Sequence, residues 1–221
     1  KGFGSILEVM KFIAASHYRT LEKQLKHFEK LEALVPEFFQ SIDLTKIDHP
    51  FVNPGNRPLG VLAVTSDTGL LGGLNMNVIT RSEELMEERG QNSRLIVVGE
   101  RGHIYAQGLG LGFDAFGGVQ DDQRLTQAYE IRDFLIQKII AGEIGALKIV
   151  YPRALSFVIH RVEVANVLPF TASEKKMPDT GTASYLEKDL ILESSPKEIV
   201  EYLVYLILGQ RLFEIFGISR L

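Results

Sequence analysis

A glycine-rich turn at residues 66–73, with the sequence SDTGLLGG, is the segment that comes nearest to a chemical motif. It follows an apolar segment and precedes a helical pattern, which is where phosphate-binding loops lie in α/β folds. The turn is neither a G-x-G-x-x-G loop nor a Walker loop with its lysine. Asp67 would also repel a phosphate unless a metal ion intervened. The sequence therefore favours a structural turn over a phosphate site.

Asp67 is also the candidate general base or metal ligand, because it stands at the end of a predicted strand. A catalytic carboxylate normally has a partner, and the acidic pair Asp121 and Asp122 better fits a solvated turn and helix cap. No two histidines have the i, i+4 spacing of a zinc helix, and no serine lies in a G-x-S-x-G motif. We therefore expect no catalytic residue, metal or cofactor. The histidines are scattered along the chain: His17, His27, His49, His103 and His160.

The composition excludes further classes of site. A net charge of −4 lacks the basic excess that nucleic-acid-binding proteins usually show. The absence of cysteine excludes disulfides, thiolate catalysis and cysteine-bound metals. The longest uncharged apolar run, at 202–210, is about half the length that a transmembrane helix needs. A helical pattern reaches Leu221 without a stop signal and the first residue is not methionine, so we expect a longer polypeptide.

Two helices with apolar stripes are predicted at the two ends of the chain. The first covers residues 5–40 and should kink or end near Pro36. The second begins with Ser195 as N-cap and Pro196 as its first helical residue, and its stripe is wide enough to need more than one partner surface. The apolar positions recur at steps of three and four. They are Ile6, Met10, Ile13, Leu21, Leu25, Phe28, Leu31 and Val35 in the first helix, and Ile199, Leu203, Leu206 and Phe213, broadened by Val200, Val204, Ile207 and Ile215, in the second.

Between these helices, strand and helix patterns alternate after a turn-rich connector at 41–58. Short β-α-β connections favour a largely parallel sheet between layers of helices. A polar loop at 171–185 and a short strand at 190–192 are predicted before the last helix. Strands are predicted at 59–65, 94–98, 113–119, 146–151 and, at an edge, 156–170; helices are predicted at 74–88, 103–107 and 124–141.

The predicted fold class is α/β. It consists of a Rossmann-like, mainly parallel sheet domain flanked by N- and C-terminal helices that form an antiparallel coiled coil. The predicted domains are residues 1–50, the N-terminal helix and connector; residues 51–193, the α/β domain; and residues 194–221, the start of the C-terminal helix.

Three segments resemble the gamma subunit of rotary, F-type ATP synthases. Residues 10–16, MKFIAAS, are similar to M-K-M-V-A-A-S in the shaft helix of that family. Residues 65–75, TSDTGLLGGLN, resemble the family's T-S-D-[RK]-G-L-[CA]-G-G-[LF]-N turn, departing at Thr68 and Leu71. The strand at 95–99, followed by Arg101 and Gly102, is similar to V-V-G-x-[KR]-G. The order and spacing of the three segments agree with the family, and the resemblance covers nearly the whole chain.

The resemblance implies a mechanical, non-catalytic subunit. It would be the central rotor shaft that transmits torque between an ion-driven membrane ring and the catalytic ring during ATP synthesis or hydrolysis. The implied partners are the nucleotide-binding alpha/beta hexamer, a small epsilon-type subunit and the membrane rotor ring. The implied location is peripheral, at the cytoplasmic face of a bacterial inner membrane. The implied subunit contacts are Met10, Lys11, Ile13, Ser16 and Arg19 on the shaft, and Asp67, Gly69, Gly72, Gly73 and Asn75 in the turn.

Two other functions remain open from the sequence. The first is a small-molecule-binding α/β domain with a helical dimerisation hairpin, which would hold its ligand at the carboxyl ends of the strands. The second is a gamma-like scaffold outside a synthase, since Thr68 stands where the family usually has a basic residue.

Overall fold

Five strands and four helices form the part of the chain that the computed structural model describes, which is residues 47–68, 73–90, 92–154, 159–169 and 195–219. The predicted helix at 5–40, the loop at 171–185 and the strand at 190–192 lie outside these residues. In chain order the elements are β1 (Leu59–Val64), α1 (Leu74–Glu88), β2 (Ser93–Val98), α2 (Glu100–Gly108), β3 (Phe113–Phe116), α3 (Arg124–Ile140), β4 (Ala146–Ala154), β5 (His160–Leu168) and α4 (Pro196–Ile218).

The strands form one mixed sheet in the order β3-β2-β1-β4-β5. Strands β1 to β4 are parallel, and β5 pairs antiparallel with β4 at an edge. The chain therefore adds β2 and β3 on one side of β1 and then crosses to the other side for β4. All six residues of β1 are buried because this strand lies inside the sheet and both of its faces are covered. The predicted α/β sheet with flanking helices is confirmed.

Alternate residues of β1 divide the core into two layers, as expected for a strand with both faces covered. Val61 and Ala63 belong to a layer that also contains residues of α1 and α2, whereas Leu62 and Val64 belong to a layer with α3 and α4. The sheet is thus covered by one pair of helices on each face. Within the described residues, no helix is both long and apolar enough to cross a bilayer.

Helix α4 begins where the sequence predicts. Ser195 is its N-cap: the Ser195 hydroxyl accepts a hydrogen bond from the Glu198 backbone N–H at 3.3 Å, and the Glu198 carboxylate accepts one from the Ser195 backbone N–H at 2.9 Å. This reciprocal pair is a capping box, which satisfies two backbone donors that the helix leaves unpaired. The bonds from Ser195 lower the pKa of Glu198 below its usual value.

Helix α4 also contributes to the core of the domain. Val200, Val204, Leu208 and Leu212 recur every four residues and are fully buried in the layer formed with α3. Tyr202 and Leu206, on another side of the helix, are exposed. The domain boundary at residues 193 and 194 stays a prediction, but the described part of α4 packs on the sheet domain along most of its length.

Candidate functional site

The structure describes three of the predicted contact residues, Asp67, Gly73 and Asn75, around the turn between β1 and α1. The other predicted residues lie outside the described part of the chain. They are Met10, Lys11, Ile13, Ser16, Arg19, Gly69 and Gly72.

Asn75, in the first turn of α1, braces the turn from inside. Its side-chain oxygen accepts a hydrogen bond from the Ser66 backbone N–H at 3.1 Å, and its amide nitrogen donates to the Ser66 hydroxyl at 2.9 Å. The Ser66 hydroxyl in turn donates to the backbone carbonyl of Thr68 at 2.6 Å. Asn75 is buried, with 1% of its surface exposed. The arrangement makes Asn75 an internal support of the turn.

Thr65, the residue after β1, ties this turn to the next β-α connection. Its backbone N–H donates to the Val98 carbonyl at 2.8 Å, and its hydroxyl donates to the same carbonyl at 2.6 Å. The hydroxyl also accepts a hydrogen bond from the backbone N–H of Gly102 at 3.0 Å. The sequence prediction did not single out Thr65 as a site residue. A threonine that directly ends a buried strand was the available signal.

The two glycines after β2 are required by their contact with Thr65. Gly99 has a φ of +98°, and a Cβ added there would lie 2.4 Å from the carbonyl oxygen of Thr65. A Cβ at Gly102 would lie 2.4 Å from the Thr65 hydroxyl and 2.6 Å from a Val97 methyl carbon. All three distances are shorter than any packed contact allows. The glycines of the V-V-G-x-R-G segment are therefore explained by close packing of two β-α turns.

Asp67 connects the ends of three strands. Its carboxylate Oδ1 accepts a hydrogen bond from the backbone N–H of Glu100 at 3.0 Å, at the start of α2. A Cβ at Gly118, just after β3, would lie 2.1 Å from the same oxygen. A carboxylate at a helix N-terminus is stabilised by the unpaired N–H groups and by the helix dipole. The Asp67 carboxylate thus occupies the position at the N-terminus of α2 where a bound anion could otherwise lie.

Gly73 has a different place from the glycines after β2. Gly73 is the N-cap of α1, with a φ of −75°, and as a glycine it has no side chain to form a capping hydrogen bond. A Cβ added at Gly73 would have no heavy atom within 4 Å. Neither backbone strain nor crowding among the described residues requires glycine at this position.

His49 attaches the connector before β1 to the first turns of α4. Its Nε2 lies 3.0 Å from the Glu201 carboxylate, and its Nδ1 accepts a hydrogen bond from the Phe51 backbone N–H at 3.4 Å. Burial lowers the pKa of His49; the carboxylate of Glu201 opposes this shift, while Lys197 and Arg57 add to it. A neutral imidazole that accepts at Nδ1 and donates from Nε2 fits these contacts.

A charged cluster lies across β4 and β5. Arg153 and Arg161 face each other on the two strands, and both contact the carboxylate of Glu163. Burial raises the pKa of Glu163, but the hydrogen bonds from Arg161 and Arg153 outweigh that effect and hold the pKa below its usual value. Burial raises the pKa of Tyr151, whose hydroxyl lies 3.2 Å from Glu163. The Glu163 carboxylate lies between two facing arginines at the edge of the sheet and reduces the repulsion between them.

The side chains described above form hydrogen bonds and ion pairs that connect one secondary-structure element or turn to another. In the described part of the chain, no three His, Cys, Asp or Glu residues are grouped so that they could hold a metal ion. The absence of a cofactor and of catalytic residues stays a prediction. The contacts of Thr65, Asp67 and Asn75 fix the relative positions of the first three strands and the two helices that follow them.

Comparison with known proteins identifies the family. A family model described as ATP synthase matches residues 1–220. The ATP synthase gamma chain of Clostridium acetobutylicum is 29% identical over 220 residues, covering 97% of this chain and 74% of the relative. The gamma chain of a Synechococcus species is 25% identical over 238 residues, covering 94% of this chain and 75% of the relative.

Solved structures of ATP synthase rotors share the fold. A chain from the central stalk and c-ring structure of the Tetrahymena thermophila mitochondrial ATP synthase has a TM-score of 0.60 and 17% identity, covering 97% of this chain and 92% of that chain. A chain from the rotor of the Euglena gracilis mitochondrial enzyme has a TM-score of 0.52 and 12% identity, covering 99% of this chain and 82% of that chain. Because the family model spans almost the whole sequence, the chain belongs to the ATP synthase family, where its curated relatives are gamma chains.

Proposed function

We propose that this chain is the non-catalytic central rotor shaft of an F-type ATP synthase. It transmits torque between the membrane ion-driven ring and the nucleotide-binding alpha/beta hexamer during ATP synthesis or hydrolysis. The observation that carries the proposal is the match of the ATP synthase family model to residues 1–220, together with gamma chains as relatives. In the structure, the connector that follows the predicted first helix contacts the first turns of α4 through His49 and Glu201.

This contact also supports an antiparallel coiled coil. The predicted helix at 5–40 precedes the connector in the chain, and α4 starts at Pro196. A first helix that packed along α4 with its carboxyl end near Glu201 would therefore run antiparallel to it. Helix α4 retains an apolar surface beside its core-facing side, with Tyr202 and Leu206 exposed and Leu203 half-buried. The apolar stripe predicted for residues 5–40 is a matching partner for that surface.

The remaining partners and the location belong to the same proposal. The α/β domain contacts the epsilon-type subunit and the membrane rotor ring, and the complex is peripheral at the cytoplasmic face of a bacterial inner membrane. Met10, Lys11, Ile13, Ser16 and Arg19 line the contact surfaces of the shaft. In the turn, Asp67 is exposed and offers a subunit contact, whereas Asn75 shapes the turn from within. Gly69, Gly72 and Gly73 complete the proposed turn.

Affinity purification of the full-length protein from its native membranes tests the function. We expect recovery of a nucleotide-binding hexamer and a membrane ring together with the tagged protein. Recovery of the tagged protein alone, from the soluble fraction, would contradict the rotor role and would favour a scaffold outside a synthase.

Cysteine cross-linking tests the antiparallel pairing, since the chain has no cysteine of its own. Single cysteines at Tyr202 or Gln210 of α4 are combined with cysteines along residues 21–35. Antiparallel helices predict that Tyr202→Cys cross-links to later residues of that range and Gln210→Cys to earlier ones. Thr80→Cys, exposed on α1 at the opposite face of the sheet, is the negative control. Cross-links from Tyr202→Cys to earlier residues of that range, and from Gln210→Cys to later ones, would indicate parallel helices instead.

The small-molecule-binding alternative meets an obstacle at the carboxyl ends of the strands. Asp67 already accepts the first N–H of α2, and Asn75 fills the inside of the turn before α1. Both groups occupy positions that a ligand would use in a doubly wound fold. Calorimetry against nucleotides separates the two functions, because tight one-to-one binding by the isolated chain would favour the alternative.

A further inference from the structure

Arg132 of α3 is a charged side chain buried between two tyrosine rings at the contact with α4. Only 5% of its surface is exposed. Its guanidinium carbon lies 4.3 Å from the ring centre of Tyr129, on the same helix, and 3.5 Å from that of Tyr205 on α4. Arginine stacks on aromatic faces through its planar, delocalised cation, and the attraction is stronger when the pair is shielded from water.

Polar contacts fix the orientation of the guanidinium. The Arg132 Nη2 donates a hydrogen bond to the hydroxyl of Tyr205, and its Nε donates to the Asp133 carboxylate at 2.8 Å. A buried charge requires such partners. Because the stacked plane and the two hydrogen bonds point in set directions, Arg132 has one favourable placement between α3 and α4.

Gly209 of α4 makes room for this placement. A Cβ added at Gly209 would lie 3.2 Å from Arg132 Cδ, 3.2 Å from Arg132 Nη1 and 3.2 Å from a ring carbon of Tyr129. Glycine lowers helix propensity in the middle of a helix, so its presence here calls for a reason in packing. That reason is the close approach of the Arg132 side chain to the backbone of α4.

We propose that Arg132 is a positioning residue that prevents α4 from rotating relative to the α/β domain, so that torque passes between them. This inference rests on the proposed rotor function. Val204, Leu208 and Leu212 hold α4 on the domain by apolar contacts, and the hydrophobic contribution to such contacts is non-directional. The guanidinium is directional. Turning α4 about its axis would move Gly209 away from Arg132, bring a neighbouring side chain against it and separate the guanidinium from the Tyr205 ring and hydroxyl.

The test measures the torsional stiffness of the rotor in the complete complex. The hexamer from native membranes is fixed to a surface and stalled, and a bead is attached to the full-length chain through Thr80→Cys, on the face of the sheet away from α4. Angular fluctuation of the bead then includes rotation of the domain relative to the shaft. Arg132→Met keeps much of the apolar stem but removes the guanidinium. We expect a larger angular variance, with the contribution of this joint rising roughly twofold if the lock supplies about half of the joint's stiffness.

A matched control is Lys138→Met, which removes a cation of α3 that contacts Glu143 rather than α4; its variance should equal that of the parent. Tyr205→Phe removes the hydroxyl but keeps the ring, and we expect an intermediate variance. This milder variant also tests the proposal if Arg132→Met does not fold. Unchanged variance in an assembled complex carrying either Arg132→Met or Tyr205→Phe overturns the lock. If the parent chain recovers no hexamer, the rotor function fails instead, and the two failures are therefore distinct.

Discussion

The carboxylate of Asp67 fills the space that a side chain at Gly118 would occupy. A Cβ at Gly118 would lie 2.1 Å from Oδ1 of Asp67, the oxygen that accepts the backbone N–H of Glu100. One residue follows β1 and the other follows β3, so the relationship connects two strands that are not neighbours in the sheet. The glycine after β3 is thus explained by the carboxylate after β1.

Gly118→Ala should destabilise the domain by displacing the Asp67 carboxylate from the N-terminus of α2. We expect a loss of about 1–3 kcal/mol, the usual range for an added methyl group in a packed place. Asp67→Ala should cost about 0.5–2 kcal/mol, as the loss of a helix N-cap does. The double variant should cost less than the sum, since alanine at 67 makes room for alanine at 118. Urea unfolding of the four proteins measures the coupling, and strict additivity would contradict the contact.

Thr65→Val should destabilise the domain without changing the volume of the side chain greatly. The substitution removes the hydroxyl that donates to Val98 and accepts from Gly102, and the Gly102 N–H would remain buried without this acceptor. An unsatisfied buried group costs about 1–3 kcal/mol. Thr65→Ser retains the hydroxyl and serves as the control. Chemical denaturation should rank the parent and Thr65→Ser above Thr65→Val, and equal stability of all three would refute the bridging role.

Several elements were predictable because their signals are local. Helix α1 was predicted at residues 74–88 and has these bounds; the chain leaves it through Gly90 with a φ of +74°. The buried strand at 59–65 was evident from its apolar run, and the start of α4 from the sequence of Ser195, Pro196 and Glu198. The signal for a helix cap and the signal for a fully buried strand each lie in a few consecutive residues. The sequence therefore displays both of them directly.

The differences from prediction arise from contacts between distant segments. Helix α2 was predicted at residues 103–107 but starts at Glu100, because Asp67 and Thr65 from the previous turn accept its first N–H groups. The third strand was predicted at 113–119 but ends at Phe116, before Gly118, which lies against the Asp67 carboxylate. Arg132 was not predicted as a contact residue, since its partner Tyr205 lies 73 positions further along the chain.

Two glycine-to-alanine substitutions in helices should have opposite effects. Gly108 ends α2 and a Cβ there would have no heavy atom within 4 Å, so Gly108→Ala should stabilise the domain by up to about 1 kcal/mol through helix propensity. Gly209→Ala should gain no stability or lose some, because the Arg132 side chain is held by two rings and has little freedom to move aside. Thermal unfolding of both variants gives the sign. An equal gain in both would show that Arg132 yields easily.

The stability of the domain should depend on pH through His49. The pKa of His49 is lowered in the folded protein, chiefly by burial, so the unfolded chain takes up a proton first as the pH falls below about 6.5. Protonation of the unfolded state lowers the free energy of unfolding until the pH passes the folded pKa, below which the loss levels off. His49→Asn should remove this part of the pH dependence. Glu201→Gln should make it steeper, because the Glu201 carboxylate raises the pKa of His49 and its removal would lower that pKa further. Urea midpoints of the parent and both variants between about pH 5 and 8 test the assignment, and a slope unchanged by His49→Asn would show that another group is responsible.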